Sequence, residues 1–221
     1  RFLLKKGLDE GKDQSYELYN LTQEQLAHIR LPLGGLHKTE VREIAEQHKF
    51  VNARKHDSQD ICFVPDGDYA RFMEDFTGKH YPVGDFLDES GRVVGTHNGA
   101  VRYTIGQRKG LGLAMGAPVY VCGKDMEKNT LWIVQGHDHP ALLRGELVAE
   151  QLSWVSGKAP HTHWVYTAKP RYRTSDQPCE VERVDADSCE IRFAEPQWAL
   201  TPGQSVVLYE SRVCLGGGVI R

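Results

Sequence analysis

The sequence lacks any apolar run that could cross a membrane and any segment of the secretory-signal type. A membrane-spanning helix needs roughly 18 consecutive apolar residues, and no stretch of the 221 residues comes close to that length. A basic start followed by an apolar stretch, the mark of a signal peptide, is also missing. Hydrophobic residues make up 40% of the chain and charged residues 26%, which is typical of globular proteins. We therefore expect a cytoplasmic protein without membrane contact.

Cysteine pairs at metal-binding spacing are missing as well. No C-x-x-C occurs, so we expect no structural zinc and no other metal site. An odd number of widely separated cysteines argues against a secreted disulfide scaffold. The five cysteines are Cys62, Cys122, Cys179, Cys189 and Cys214.

The sequence also lacks the excess of basic residues that is common in nucleic-acid-binding proteins. The formal net charge is −3, which gives no global attraction to a phosphate backbone. Any binding of RNA must therefore depend on local basic patches.

Residues 1–64 have the pattern of an α/β region. "LTQEQLAHI" predicts a helix with Thr22 as N-cap and Gln25 completing a capping box. "KTEVREIAEQHKF" predicts a second helix, with Thr39 as N-cap. "ICFV" is typical of a short buried strand.

Residues 65–137 predict a small α+β domain, and residues 138–221 an all-β barrel. Hairpins are expected to turn at Ser90-Gly91 and near Lys128-Asn129. Further short strands at close spacing, among them "CEVERVDADSCEIRF" and "SVVLYESRVCLGGGVI", favour a closed barrel. A short helix in "DYARFMEDF" is expected to turn four side chains inward, namely Tyr69, Phe72, Met73 and Phe76.

Cys62, in "ARKHDSQDICFV", allows two interpretations. It is either a small apolar side chain packed in a strand or a reactive thiol. The second requires the polar run before Cys62 to keep the thiol near solvent and to favour the thiolate. Composition alone leaves both open.

Three other segments combine polar or basic residues in ways that suit RNA. In "GKDQSYEL", Lys12 could meet a phosphate and Asp13 or Gln14 a base edge; the alternative is a loop with a capping aspartate. "YTIGQRKGLG" has glycines beside Arg108 and Lys109, without Walker spacing, and is otherwise a turn with a solvated tip. "KPRYRTSDQP" places Arg171 and Arg173 around an aromatic ring, which suits phosphate pairing and base stacking, or a solvated strand end.

Taken together, these segments resemble the tRNA-specific 2-thiouridylases. The resemblance includes "LPLGGLHKTEVREIA", "KHDSQDICFV", "VCGKDMEKNTLWIVQGHDHP", "TPGQSVVLY" and "VCLGGGVI", and it runs in order from residue 11 to residue 220. It implies ATP-dependent 2-thiolation of the wobble uridine of tRNA, with adenylation of the C2 oxygen and sulfur transfer from a cysteine persulfide. The implied partners are tRNA and a cysteine desulfurase or sulfur-relay protein. The implied cofactor is ATP, with magnesium as a candidate companion ion.

The resemblance also implies a missing catalytic segment. The family's S-G-G-x-D-S phosphate loop and its first catalytic cysteine are not in this sequence, so no residue here is assigned to ATP. We expect a C-terminal fragment that is inactive alone. The implied fold is the remnant of an ATP-pyrophosphatase (adenine nucleotide alpha hydrolase-like) domain over 1–64, a central domain over 65–137 and a β-barrel over 138–221.

The resemblance assigns roles to individual residues. Cys62 matches the persulfide cysteine and is expected to form a disulfide with the absent first cysteine. The other matched positions are expected to contact tRNA: Lys12, Asp13, Gln14, Arg171, Tyr172 and Gln204. For Gln204, a polar residue in a turn before a strand is the alternative.

Three rival interpretations remain open at this point. The first is a non-catalytic RNA-binding β-barrel module. The second is an ATP-pyrophosphatase relative that acts on a small molecule. The third is a thiol-redox protein using Cys62, which would need a nearby resolving cysteine; the next in sequence, Cys122, is 60 residues away (122 − 62).

Overall fold

A computed structural model describes residues 1–55, 64 and 67–221. Cys62 and most of the expected "ICFV" strand lie outside the described residues. The chain forms two compact units: unit 1 combines Arg1–His56, Gly145–Gln197 and Pro202–Arg221, and unit 2 combines Asp57–Arg144 and Trp198–Thr201. The domain boundaries expected after residues 64 and 137 stay predictions.

The described secondary structure is mainly β, with three helices in the first third of the chain. None of the described helices is long and apolar enough to span a membrane. The helices are α1 (Gln23–His28), α2 (Lys38–Gln47) and α3 (Tyr69–Thr77). The strands are β1 (Leu4–Lys5), β2 (Gly84–Leu87), β3 (Val93–His97), β4 (Val119–Asp125), β5 (Thr130–Gln135), β6 (Leu143–Trp154), β7 (Val165–Lys169), β8 (Gln177–Val184), β9 (Ser188–Trp198), β10 (Ser205–Glu210) and β11 (Val213–Ile220).

The helices of unit 1 begin at side chains that hold their first amides. The capping box predicted for α1 is confirmed, since Thr22 Oγ1 accepts from the Gln25 amide and Gln25 Oε1 from the Thr22 amide. The N-cap predicted for α2 is wrong: the helix begins earlier, and His37 is its N-cap. One carboxylate at its start lies outside the predicted motif, because Asp9 Oδ2 accepts from the Lys38 amide at 2.9 Å, and one lies inside it, because Glu40 Oε2 accepts from the His37 amide at 2.6 Å.

The predicted closed barrel is confirmed in unit 1. Its strands follow the order β11-β10-β7-β8-β9-β6, and β6 pairs back onto β11 to close the sheet. β1 adds to the free part of β11, with Leu4 opposite Cys214 and Lys5 opposite Val213. The alternation predicted after the β8–β9 turn is confirmed, because Cys189, Ile191 and Phe193 are buried.

The barrel closes at three consecutive glycines of β11. A Cβ at Gly216 would lie 2.1 Å from the Ser153 carbonyl oxygen, and one at Gly217 would lie 2.0 Å from that of Val206. Gly216 also has a φ of +129°, which side chains rarely adopt. The strands on both sides therefore approach β11 more closely than any other residue would allow.

Unit 2 is an α+β arrangement around a four-stranded sheet of order β3-β2-β5-β4. The β2–β5 pair is parallel and the other two are antiparallel. Both predicted hairpins are confirmed, and Gly91 and Asn129 adopt positive φ in their turns. The core is formed by side chains of the sheet and the loop after β3, which are Phe86, Ala100, Tyr103, Leu111, Val119, Val121, Leu131 and Ile133.

The predicted helix in "DYARFMEDF" is confirmed as α3, but the predicted inward face is wrong. Tyr69, Met73 and Phe76 are exposed, Phe76 to 77%. Phe72 is half-buried and its ring stacks on that of Phe76 at 6.0 Å. The buried residue of the helix is Ala70, so the small side chain rather than the large ones packs into the unit.

His97, at the end of β3, is a buried polar residue in the unit 2 core. It is 2% exposed, and its ring lies 5.1 Å from the Phe86 ring and 5.4 Å from the Tyr103 ring. Neither ring nitrogen has a hydrogen-bond partner among the described residues. Burial lowers the pKa of His97; the Asn129 backbone, followed by the carboxylate and backbone of Asp85, opposes the shift, and Lys124 adds to it.

We predict that His97 makes unit 2 sensitive to acid. The unfolded chain takes up the proton near pH 6.5, whereas the folded chain resists it. The free energy of unfolding therefore falls as the pH drops below about 6.5, by up to about 1.4 kcal/mol per pH unit. His97→Leu should flatten this acid limb in urea denaturation, while His80→Leu, at an exposed ring, should retain it. An acid limb unchanged by His97→Leu would contradict the prediction.

Candidate nucleic-acid interface

The segment that carries Lys12, Asp13 and Gln14 is held tightly against unit 1. Lys12 ends a 3-10 helix, and Lys12 and Gln14 are exposed. Asp13 between them is buried at 7% exposure. Its Oδ1 accepts from the amides of Gly7 and Ser15 at 2.9 and 3.1 Å. In this structure Asp13 shapes the loop that presents its two neighbours, and the predicted contact of Asp13 with tRNA stays a prediction.

Ser15 connects this loop to the barrel. Its hydroxyl donates to Asp13 Oδ2 at 2.7 Å and lies 3.2 Å from the Tyr209 hydroxyl. Tyr209, in β10, is fully buried, and burial raises the pKa of its hydroxyl. The three polar groups satisfy one another where water is excluded, so the position of the loop is fixed by the barrel wall.

Lys6 ties the same segment to the loop between β7 and β8. Its ammonium forms a salt bridge with Asp176 and lies 4.0 Å from the centroid of the Tyr209 ring. Asp176 also accepts from Thr167 Oγ1 at 3.0 Å. With 15% of its side chain exposed, Lys6 is a structural cation rather than one presented to solvent.

Tyr16 brings together the three segments predicted to contact tRNA. Its hydroxyl donates to the Ser205 carbonyl oxygen at 2.7 Å, next to Gln204. Its ring meets the Tyr172 ring edge-on, with centroids 5.9 Å apart. Burial raises the pKa of Tyr16 to about 12, and the nearby Arg171 guanidinium opposes the shift. The side chain therefore stays a neutral donor at physiological pH.

The β7–β8 loop presents an aromatic ring among cations. Tyr172 is 37% exposed, and Lys169 Nζ lies 5.9 Å from its ring centroid. Arg171 is half-buried beside Tyr16, and burial lowers the pKa of its guanidinium, which nevertheless stays charged in proteins at neutral pH. Arg173 is exposed at the tip. Such a ring can stack on a base while the cations meet phosphates.

Gln204 lies in the turn before β10. Its backbone carbonyl accepts from the Ile220 amide at 2.8 Å, which fixes the turn against the end of β11. Its Oε1 is buried and has no hydrogen-bond partner among the described residues. A ligand donor would reach this oxygen only after the side chain turns outward.

The described cysteines are unsuited to nucleophilic chemistry. Cys179, Cys189 and Cys214 are buried in barrel strands, and burial raises the pKa of each thiol to about 12. Cys122, in β4, is half-buried and its pKa is also raised by burial. All four are free thiols. The expected persulfide and disulfide roles concern Cys62, which lies outside the described residues.

Sequence reasoning missed Tyr16 and Lys169 as members of this patch. Both lie inside quoted motifs, "GKDQSYEL" and "KPRYRTSDQPC". The motifs indicated the right segments, but not that these two side chains contact Tyr172. We call the surface formed by Lys12, Gln14, Lys169, Arg171, Tyr172 and Gln204 the candidate interface. Basic groups beside an exposed aromatic ring are a combination that proteins use to recognise single-stranded RNA.

Comparisons with known proteins find a family model for each part of the chain. A model described as a tRNA methyl transferase HUP domain matches residues 1–66. A tRNA methyl transferase PRC-barrel domain matches 70–135, and an aminomethyltransferase beta-barrel domain matches 144–220. These matches, with the closed barrel and the α+β unit, confirm the predicted fold class.

Curated relatives are similar along the whole chain. A tRNA-specific 2-thiouridylase of Dechloromonas aromatica (strain RCB) is 61% identical over 236 residues, covering 100% of this chain and 63% of the relative. Proteins of the same name from Nitrosomonas eutropha and Methylobacillus flagellatus are 52% and 50% identical, with 62% of each relative covered. The chain thus spans less than two thirds of the length of these relatives.

We predict that Ser15→Ala destabilises unit 1 by about 1–3 kcal/mol, because Asp13 and Tyr209 each lose a buried hydrogen-bond partner. Urea denaturation of the full chain measures the change. Ser175→Ala, in an exposed loop position, is the matched control and should stay within about 0.5 kcal/mol of wild type. Adding Tyr209→Phe to Ser15→Ala should cost less than the two single changes together; strict additivity would contradict the network.

Proposed function

The chain belongs to the tRNA-specific 2-thiouridylase family, and we propose that it is the tRNA-holding part of such an enzyme. The reaction is ATP-dependent 2-thiolation of the wobble uridine. ATP supplies the activation of the uracil C2 oxygen, which then leaves with AMP. No residue of this chain is assigned to ATP, and the part of the relatives that the chain does not span is proposed to bind it.

The observation that carries the proposal is the position of Tyr16. It contacts the Tyr172 ring and the Ser205 carbonyl, and it belongs to the same short segment as Lys12 and Gln14. Three stretches that are far apart in sequence therefore form one surface in unit 1. Residues selected separately for RNA-binding chemistry are expected to lie together if they serve one ligand.

Each member of the interface has a distinct role in this proposal. Lys12 contacts a phosphate close to the target base, and Gln14 meets a base edge. Asp13 acts through its hydrogen bonds to Gly7 and Ser15, which hold the two neighbours in place. A direct contact of the Asp13 carboxylate with tRNA would require this loop to open.

The barrel side of the interface holds the anticodon stem-loop. Tyr172 stacks on an unpaired base, and Arg171 contacts phosphate or a base face. The Oε1 of Gln204 is buried, so the proposal requires its side chain to turn outward, where a ribose 2′-hydroxyl or an exocyclic amine is the fitting donor. These contacts hold the neighbours of a base that is turned out of its stack.

Cys62 is proposed as the persulfide carrier. Its terminal sulfur bonds to uracil C2 as the oxygen leaves, and a second cysteine then attacks the Cys62 sulfur. The S–S bond to the transferred sulfur breaks, a Cys62 disulfide forms, and the sulfur remains on C2. The raised pKa values of the four described thiols leave them poorly suited to this role. A cysteine desulfurase or relay protein is the proposed donor.

Exposed apolar residues support a larger catalytic domain. None of the residues of α2 is buried, while Ile44, Phe50 and Val51 are exposed at 41%, 58% and 106%. Helices in proteins depend on packing of their apolar face. Residues 1–66 match a HUP domain, so this face fits the remainder of that domain in a longer protein.

We predict that Cys62→Ser abolishes thiolation by the full-length protein, since serine cannot carry a sulfane sulfur. Unmodified tRNA, ATP and a sulfur donor are incubated with each variant, and 2-thiouridine is measured by nucleoside mass spectrometry. Cys122→Ser is the matched control and should retain activity. The 221 residues alone should give no product. Equal thiolation by Cys62→Ser and wild type would remove Cys62 from the reaction.

We predict that Tyr172→Leu weakens tRNA binding by roughly fivefold or more, because base stacking on an aromatic ring contributes about 1–3 kcal/mol. Fluorescence anisotropy with labelled tRNA measures Kd. Trp164→Leu removes an aromatic ring that is 56% exposed outside the interface and should leave Kd unchanged. Equal losses from both variants would mean that Tyr172 has no specific contact. Competition with a small uracil nucleoside separates tRNA from a small-molecule substrate.

A further inference from the structure

Two consecutive turns from Thr104 to Leu111 form a basic feature of unit 2 that the proposed thiolation does not use. The Gln107 amide donates to the Thr104 carbonyl at 2.9 Å, and the Val121 amide donates to the Gln107 carbonyl at 3.0 Å. The Gly106 amide donates to the Val121 carbonyl at 2.7 Å. The base of the turns is therefore fixed to β4.

Close packing holds the same base in place. A Cβ at Gly106 would lie 2.7 Å from the Trp198 ring and 2.8 Å from the Ala199 Cβ. Gly106 and Gly110 have φ values of +85° and +77°, which glycine adopts without strain. The tip of the second turn, Arg108 to Gly110, thus projects from a rigid support.

The side chain of Gln107 makes two hydrogen bonds to the backbone of the turns. Its Oε1 accepts from the Thr104 amide and its Nε2 donates to the Lys109 carbonyl, both at 3.0 Å. The amides of Arg108, Lys109 and Gly110 have no acceptor within the described part of the chain. Successive turn amides without an internal acceptor are available as donors to an anion, as in backbone anion-binding nests.

The two cations of the tip have no ion-pair partner among the described residues. Arg108 and Lys109 are exposed, and neither forms an ion pair with any described carboxylate. Other basic residues of unit 2 differ: Arg92 pairs with Asp88 at 2.9 Å and Lys128 with Asp125 at 3.7 Å. No acidic residue occurs in the sequence between residues 102 and 124, so the carboxylates nearest in sequence lie outside this segment.

We propose that the tip from Arg108 to Gly110 binds a backbone phosphate of the bound tRNA. The inference rests on the proposed function and adds a contact in unit 2 to the candidate interface of unit 1. Two cationic side chains and three amide donors suit the charge and the several oxygens of a phosphodiester. The tip contains no exposed aromatic ring and no acceptor side chain, so the contact positions the RNA without reading its sequence.

The test compares two double variants of the full chain with equal loss of charge. Arg108→Gln with Lys109→Gln removes the tip cations, and Arg92→Gln with Lys128→Gln removes two cations already paired with carboxylates. The dissociation constant for tRNA is measured by anisotropy over a range of KCl concentrations. The tip variant should bind about 3- to 30-fold more weakly at low salt and lower the salt slope by about one. The control pair should match wild type.

Each outcome decides the proposal. Equal losses in both double variants would show a general effect of charge and overturn it. If wild type binds tRNA and the tip variant binds equally well, the tip contact alone fails. If wild type does not bind tRNA, the proposed function fails first. If wild type binds inorganic phosphate and the tip variant keeps the wild-type affinity for tRNA, the proposal is overturned and the tip is a site for a free anion.

Discussion

The closure of the barrel at Gly216, Gly217 and Gly218 is the constraint on which the candidate interface depends. Strand β11 lies between β10 and β6 so closely that any Cβ there would meet a carbonyl oxygen at 2.0–2.5 Å. Closure fixes the ends of β7, β8 and β10, and the loops at these ends carry Tyr172 and Gln204. A loop that must meet RNA in one geometry needs such a frame, since ordering it only upon binding would cost affinity.

A buried polar network transmits that rigidity to the N-terminal segment. Ser15 joins Asp13 to Tyr209, and Lys6 joins the same segment to Asp176. Lys12 and Gln14 lie on a loop that is positioned by contacts with β10 as well as by hydrogen bonds within the segment. The barrel and the remnant of the HUP domain are therefore one unit in this chain, although the sequence pattern separates an α/β region from an all-β region.

Much of the fold was predictable because it depends on local chemistry. Thr22 and Gln25 specify a helix start by themselves, and the alternation of Cys189, Ile191 and Phe193 specifies an inward face. What failed depends on contacts distant in sequence. The start of α2 is set partly by Asp9, 29 residues away. The orientation of α3 depends on the packing of Ala70 against the rest of unit 2. Likewise, nothing local in "GKDQSYEL" indicates that Asp13 is buried.

The acidic net charge and the proposed RNA ligand are compatible because some cations are paired with carboxylates while others project from loops. Several cations of this chain are paired with carboxylates, as Lys6 is with Asp176 and Arg92 with Asp88. Pairing removes them from long-range attraction, whereas Arg173, Arg108 and Lys109 project from loops and form no ion pair with a described carboxylate. Affinity for a polyanion follows the cations that can release its counterions, not the sum over the chain. On the proposed function, a net charge of −3 limits nonspecific binding, and the loop cations select where the proposed RNA ligand sits.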